Sequence, residues 1–104
     1  MALLVYMTAA DEAEAERIAE DLVQRRLAAC VNMPGPIRSV YLWQGEVCRN
    51  REIPLIAKTT EARFDELAAR VRELHSYETP CIAALSIERG DPAFLDWIAE
   101  ATEK

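Results

Sequence analysis

The chain has 104 residues, 51% of them hydrophobic, and a net charge of −6 with 18 acidic against 12 basic side chains. That length suits one compact domain over residues 1–104, large enough for a core yet small enough to gain much from oligomerisation. The acidic balance excludes a nucleic-acid partner, whose affinity comes from clustered Lys and Arg, and no run approaches the roughly 20 apolar residues of a membrane span.

Ala2 to Thr8 is a short apolar run that suits a buried strand, with no basic leader before it, so no export is signalled. From Asp11 to Leu27, Ala15, Ile18, Ala19, Leu22, Val23 and Leu27 recur at helical spacing. Thr8-x-x-Asp11 and Asp11-x-x-Glu14 are alternative start signals. Residues 28 to 33 begin a second strand. Pro34-Gly35-Pro36 interrupts it, and Ile37 to Trp43 resumes a β-branched and aromatic pattern, so the prolines read as a bulge. Gln44-Gly45-Glu46 supplies a tight turn, and Val47 to Thr59 returns as a third strand.

Thr60 and Glu61 open a second amphipathic helix with Phe64, Leu67, Ala68, Val71 and Leu74 on one face. Cys81 to Ile87 is a fourth strand. Gly90-Asp91-Pro92 breaks the chain and starts a last helix, with Asp91 as N-cap, Pro92 at its first position, and Phe94, Trp97, Ile98 and Ala101 facing inward. The order is β-α-β-β-α-β plus a terminal helix, an α+β, ferredoxin-like arrangement with both long helices on one face of an antiparallel sheet.

The hairpin has a consequence for assembly. Arms of about 14 residues at roughly 3.3 Å each reach on the order of 45 Å, far beyond the radius of gyration near 13 Å of such a domain. Its distal end carries Val40, Tyr41, Leu42, Trp43 and Val47, apolar surface that another subunit is expected to cover.

Chemistry concentrates in Glu73-Leu74-His75-Ser76-Tyr77-Glu78-Thr79-Pro80-Cys81, where the only histidine stands between a helix and a strand. A helix end by itself accounts for both His75 and Pro80. Cys30, Cys48 and Cys81 form neither a disulfide framework nor a zinc knuckle, and fit a reducing cytoplasm. Cys30 and Cys81 have the settings of small buried hydrophobes, and Cys48, beside Arg49 and Arg51, that of a more exposed thiol.

Leu27 to Asn32, Ser39 to Val47, Glu52, Lys58-Thr59-Thr60, Leu74-His75, Tyr77, Pro80, Gly90, Asp91, Leu95, Trp97 and Ile98 together resemble the CutA1 family, the divalent-cation tolerance proteins, over nearly the whole chain. The resemblance implies a tight homotrimer of PII-like architecture with a role in copper and heavy-metal tolerance. In members with proposed copper ligands, a Cys ends the first strand and two adjacent His precede the Tyr-x-x-Pro stretch; here those positions hold Met7, Leu74 and His75. His75 alone is a strong ligand, so the expectation is weak binding of copper or another divalent cation by a non-enzymatic cytoplasmic trimer. The alternative is a PII-like regulatory module that receives an anion or metabolite in a cleft between subunits lined by Trp43, Lys58, Glu61 and Tyr77. An enzyme is the weakest reading, since His75 has no evident nucleophile beside it and the chain has no Gly-rich phosphate loop.

Overall fold

The structure, a computed structural model, describes all 104 residues. The elements are β1 (Ala2–Ala9), α1 (Glu12–Gln24), β2 (Cys30–Asn32), β3 (Ile37–Trp43), β4 (Glu46–Thr60), α2 (Glu61–Leu74), β5 (Ile82–Ser86) and α3 (Pro92–Ala101). The sheet runs β2-β4-β1-β5, antiparallel throughout, with β3 also paired to β4. This is the ferredoxin-like order.

The expected second strand is two strands, β2 and β3, because Pro34-Gly35-Pro36 breaks the ladder. Asn32 lies opposite Ile56 and Ile37 opposite Glu52, so residues 33–36 face only 53–55. The extra residue is a bulge, and Pro54 falls in the β4 stretch it leaves without partners on that side. Beyond the bulge, β3 and the first half of β4 pair only with each other and close through Gln44 and Gly45, both at positive φ, as a two-residue turn of this hand requires. The projecting ribbon gives the molecule a long axis of 44 Å against 25 and 22 Å. Its apolar tip is bare in the single chain, with Leu42 71% exposed.

Leu3, Val5, Met7 and Ala9 of β1 and Ile53, Leu55 and Ala57 of β4 alternate onto one face. There they meet Ala15, Ile18, Ala19 and Leu22 of α1 and Leu67 and Val71 of α2, so both long helices cover the same side. On the opposite face Tyr6 and Leu85 are exposed. Asp11 is the N-cap of α1, its carboxylate accepting from the Glu14 N–H at 2.8 Å, so the second of the two start signals is the one used. The α1 helix stops short of Leu27. Arg26 turns left-handed there, and the buried Arg63 guanidinium of α2 donates to the carbonyls of Arg25 and Arg26. Asp91 caps α3 with Pro92 in the first turn.

Four apolar placements differ from the sequence reading. Val23 is exposed at the edge of the α1 stripe, and Phe94 and Trp97 of α3, expected to face inward, are about two-fifths exposed and stack on each other at 5.9 Å. In α3 only Ile98 is fully buried, because the helix rests on β1 and β4 along a single narrow line. Cys81 is exposed rather than packed, since it precedes β5 at the open end of the sheet, whereas Cys48 is half-buried on the ribbon.

Candidate functional site

At the end of α2 the backbone leaves the helix at His75, which closes it through an N–H bond to the Val71 carbonyl. The imidazole turns inward and is 1% exposed. Its Nδ1 accepts the Tyr77 N–H at 3.0 Å, which leaves Nε2 to carry the proton and donate to the Thr8 carbonyl of β1 at 2.7 Å. Neither nitrogen keeps a free lone pair directed at open space, so coordination of a metal by His75 requires one of these bonds to break.

Behind the ring lies a carboxylate that the sequence marked only as a helix start. Glu14 is 4% exposed, accepts the N–H groups of Ala10 at 2.9 Å and Ser76 at 3.0 Å, and stands 3.6 Å from His75 Nδ1. Burial pushes its carboxyl upward, but hydrogen bonds from Ala10 and Ser76 prevail and hold it below the usual carboxylate range. One anion therefore ties the entry of α1 to the segment that follows α2.

In front of the ring Tyr77 packs against His75 with the two ring planes tilted by 50° and their centroids 4.6 Å apart, and it donates its hydroxyl to Glu52 Oε2 at 3.0 Å. Burial, reinforced by the Glu52 carboxylate, pushes the phenol above its ordinary range, so it stays a donor. These two residues form one wall of a cavity of about 440 Å³. Ser39, Tyr41 and Trp43 reach it from β3, and Thr8, Glu78, Thr79 and Cys81 complete it. The parity of the ribbon explains the gathering: Ser39, Tyr41 and Trp43 lie opposite Asn50, Cys48 and Glu46 on one face, continuous with Glu52. Asn50 also donates to the Tyr41 hydroxyl. The cavity holds two carboxylates and a thiol and has no Lys, Arg or His in its lining. The Cys81 thiol is pushed up by burial and by the Glu52 charge, so it is held as the neutral thiol.

Of the residues expected in a cleft, Trp43 and Tyr77 are thus brought together. Lys58 and Glu61 are not in the lining: Lys58 pairs with Leu4 and Cys30 far along β4, and Glu61 starts α2. Glu52 and Cys81 escaped as cavity residues because nothing short of strand parity and register aims them there. No three His, Cys, Asp or Glu side chains converge anywhere in the chain as a preformed metal centre.

A ferredoxin-like subunit with a long projecting ribbon, and an aromatic and acidic cavity where that ribbon meets the sheet, defines a class of small α+β proteins. The chain belongs to the CutA1 family: the family model for the CutA1 divalent ion tolerance protein matches residues 3–101. The divalent-cation tolerance protein CutA of Archaeoglobus fulgidus is 48% identical over 99 residues, 95% of this chain and 96% of the relative. That of Thermus thermophilus is 46% identical with the same coverage. The solved structure of the Thermus thermophilus protein superposes with a TM-score of 0.97 at 45% identity, covering 99% of this chain and all of that one. The Archaeoglobus fulgidus structure, described as a periplasmic divalent cation tolerance protein, gives 0.96 at 47%, with the same coverage.

Proposed function

We propose that the chain acts as a non-enzymatic homotrimer of the cytoplasm that binds divalent or copper ions weakly, as cargo, in the cavity between ribbon and sheet. The observation that carries this reading is the lining. Glu52 Oε2 is committed to Tyr77, but its other oxygen holds no bond within the chain, and Glu78 and Cys81 line the same cavity. Carboxylate oxygen suits hard divalent ions and sulfur suits copper in its soft state, whereas an anion would meet two negative charges with no counter-ion. The donors are few and the thiol must first lose a proton, so binding is weak and releases protons. His75 acts as a positioning residue, holding Tyr77 and through it Glu52.

The trimer is supported by the relatives' family and by what one chain leaves bare: Val40, Leu42 and Val47 on the ribbon, Tyr6 and Leu85 on the open face, and Phe94 and Trp97 on α3. Three free thiols suit a reducing compartment. The non-enzymatic reading rests on His75, whose nitrogens are spent on backbone groups rather than on a nucleophile.

Calorimetric titration of Cu²⁺ and Zn²⁺ into metal-free protein tests the cavity. Binding is expected in the wild type and lost in Glu52→Gln/Cys81→Ser; equal affinity in both proteins places the metal elsewhere.

A further inference from the structure

The cavity between ribbon and sheet is far larger than a metal ion needs. Glu52, Glu78 and Cys81 supply donor atoms for one, but the volume of about 440 Å³ falls in the range of roughly 300–1,000 Å³ that small organic ligands occupy. The rest of the wall is largely aromatic. Tyr41 and Trp43 reach it from β3 and Tyr77 from the segment after α2. Strand parity sets Tyr41 and Trp43 on the cavity side of the ribbon and Val40 and Leu42, the side chains left for subunit contact, on the other.

The face of an aromatic ring is the negative side of its quadrupole and attracts a cation seated within about 6 Å of the ring centre. Side chains two apart on one strand face start about 7 Å from each other, so a cation lodged between Tyr41 and Trp43 is within reach of both rings. Tyr77 supplies a third: after burial and Glu52, the nearby Tyr41 adds to the upward push on its phenol, so the two rings are neighbours across the cavity. Charge points the same way. Glu52 is 8% exposed, its hydrogen bond comes from the neutral Tyr77 hydroxyl, and neither it nor Glu78 forms an ion pair within the chain. A carboxylate held so far out of water without a counter-ion is stabilised by a cation that enters beside it.

We propose that this cavity also takes an organic ammonium ion, its cationic head held among the rings of Tyr41, Trp43 and Tyr77 and neutralised by Glu52. This rests on the cation-accepting cavity of the proposed function and extends it to a second class of cation. A metal ion touches only the acidic end, whereas an ammonium ion fills the aromatic end as well, so the two compete at Glu52.

The test is calorimetric titration of tetramethylammonium, n-butylammonium and uncharged tert-butanol, separately, into metal-free protein in EDTA-containing buffer, with Tyr41→Leu, Tyr41→Phe and Glu52→Gln in parallel. Trp43 is left intact because its truncation is expected to weaken assembly. An ammonium ion is expected to bind with tert-butanol silent, about fivefold more weakly in Tyr41→Leu and within about twofold of wild type in Tyr41→Phe, which keeps the ring. Glu52→Gln is expected to weaken it about tenfold, the loss of one charged partner. Tighter binding of n-butylammonium assigns a primary amine whose N–H groups reach Glu52; tighter binding of tetramethylammonium assigns a quaternary head held by the rings. No ammonium binding by the wild-type trimer gives the aromatic wall to a neighbouring subunit and overturns the proposal. Equal binding of tert-butanol, or unchanged affinity in Tyr41→Leu, overturns it as well. Light scattering accompanies each titration, and if Tyr41→Leu loses assembly, Tyr41→Phe against Glu52→Gln decides, since both keep a ring at position 41 and only one keeps the charge. Copper affinity is expected to be unchanged in Tyr41→Leu. Ammonium binding without copper binding would remove the metal reading alone, and copper binding without ammonium binding would remove this one alone.

Discussion

Removal of the Glu14 carboxylate should be among the costliest single changes in the polar part of this protein. In Glu14→Ala, the N–H groups of Ala10 and Ser76 lose an anionic acceptor at 2.9 and 3.0 Å, and the alanine leaves space behind the His75 ring. Each hydrogen bond to a charged group contributes about 1.5–3 kcal/mol, so the loss is about 3 kcal/mol or more. For a domain of this size that lowers the melting temperature by about 12 °C or more. The pH dependence has a definite sign. The folded carboxyl is held below its ordinary 4.5, so its contribution is fully present above that value and fades as pH falls through the lower folded one. Wild-type and variant stabilities should therefore converge in acid. Urea unfolding at fixed protein concentration, from neutral pH downward, measures both effects. A variant within 1 kcal/mol of wild type at neutral pH, a threshold below the loss of even one charged bond, would refute the bracing role.

Tyr77→Phe should cost about 1–3 kcal/mol by leaving Glu52, itself 8% exposed, without its donor. The same change should remove, from an alkaline absorbance titration, a phenol that ionises above the ordinary tyrosine range. Arg70→Gln should destabilise at neutral pH and lose its effect in acid. Hydrogen bonding and charge from Arg70, helped by Arg25, hold the Asp21 carboxyl low despite burial, so the pair contributes above the usual carboxylate range and fades below it. Trp43→Ala should weaken assembly, seen by light scattering as loss of a particle three times the 11.7 kDa chain mass; truncation of an aromatic anchor commonly costs about 2 kcal/mol or more. Copper affinity should rise with pH, because the Cys81 thiol held neutral by burial must give up its proton to bind; a flat profile would remove the thiol from the site.

The fold was legible because its signals are local and redundant. The short apolar run of β1, the 3.6-residue stripes of α1 and α2, Asp91-Pro92 at the start of α3 and the paired prolines before Ile37 each name a backbone state. The bulge was readable as such, since a run interrupted by Pro-Gly-Pro and then resumed in the same pattern has few other solutions. The site was less legible. His75 and Tyr77 stood out by residue type, but their partners Glu14, Thr8 and Glu52 lie 61, 67 and 25 positions away or involve backbone atoms. Glu14 in particular was hidden behind its role at the helix start. Cys81 was misplaced because an apolar neighbourhood in sequence, Cys81-Ile82-Ala83-Ala84-Leu85, describes an edge strand whose outer face is bare in the single chain. Phe94 and Trp97 failed for the same reason: apolar residues left half-bare on the single chain carry the same pattern as a core.

The cavity between ribbon and sheet, rather than the imidazole of His75, is proposed to receive the metal. The most direct measurement is an anomalous-scattering map of crystals grown from metal-free protein and soaked in copper or zinc. A peak is expected in the cavity about 2.0–2.3 Å from Glu52 or Cys81, with the bond from His75 to Thr8 intact. A peak on the ring of His75, with that bond broken and the cavity empty, would contradict it.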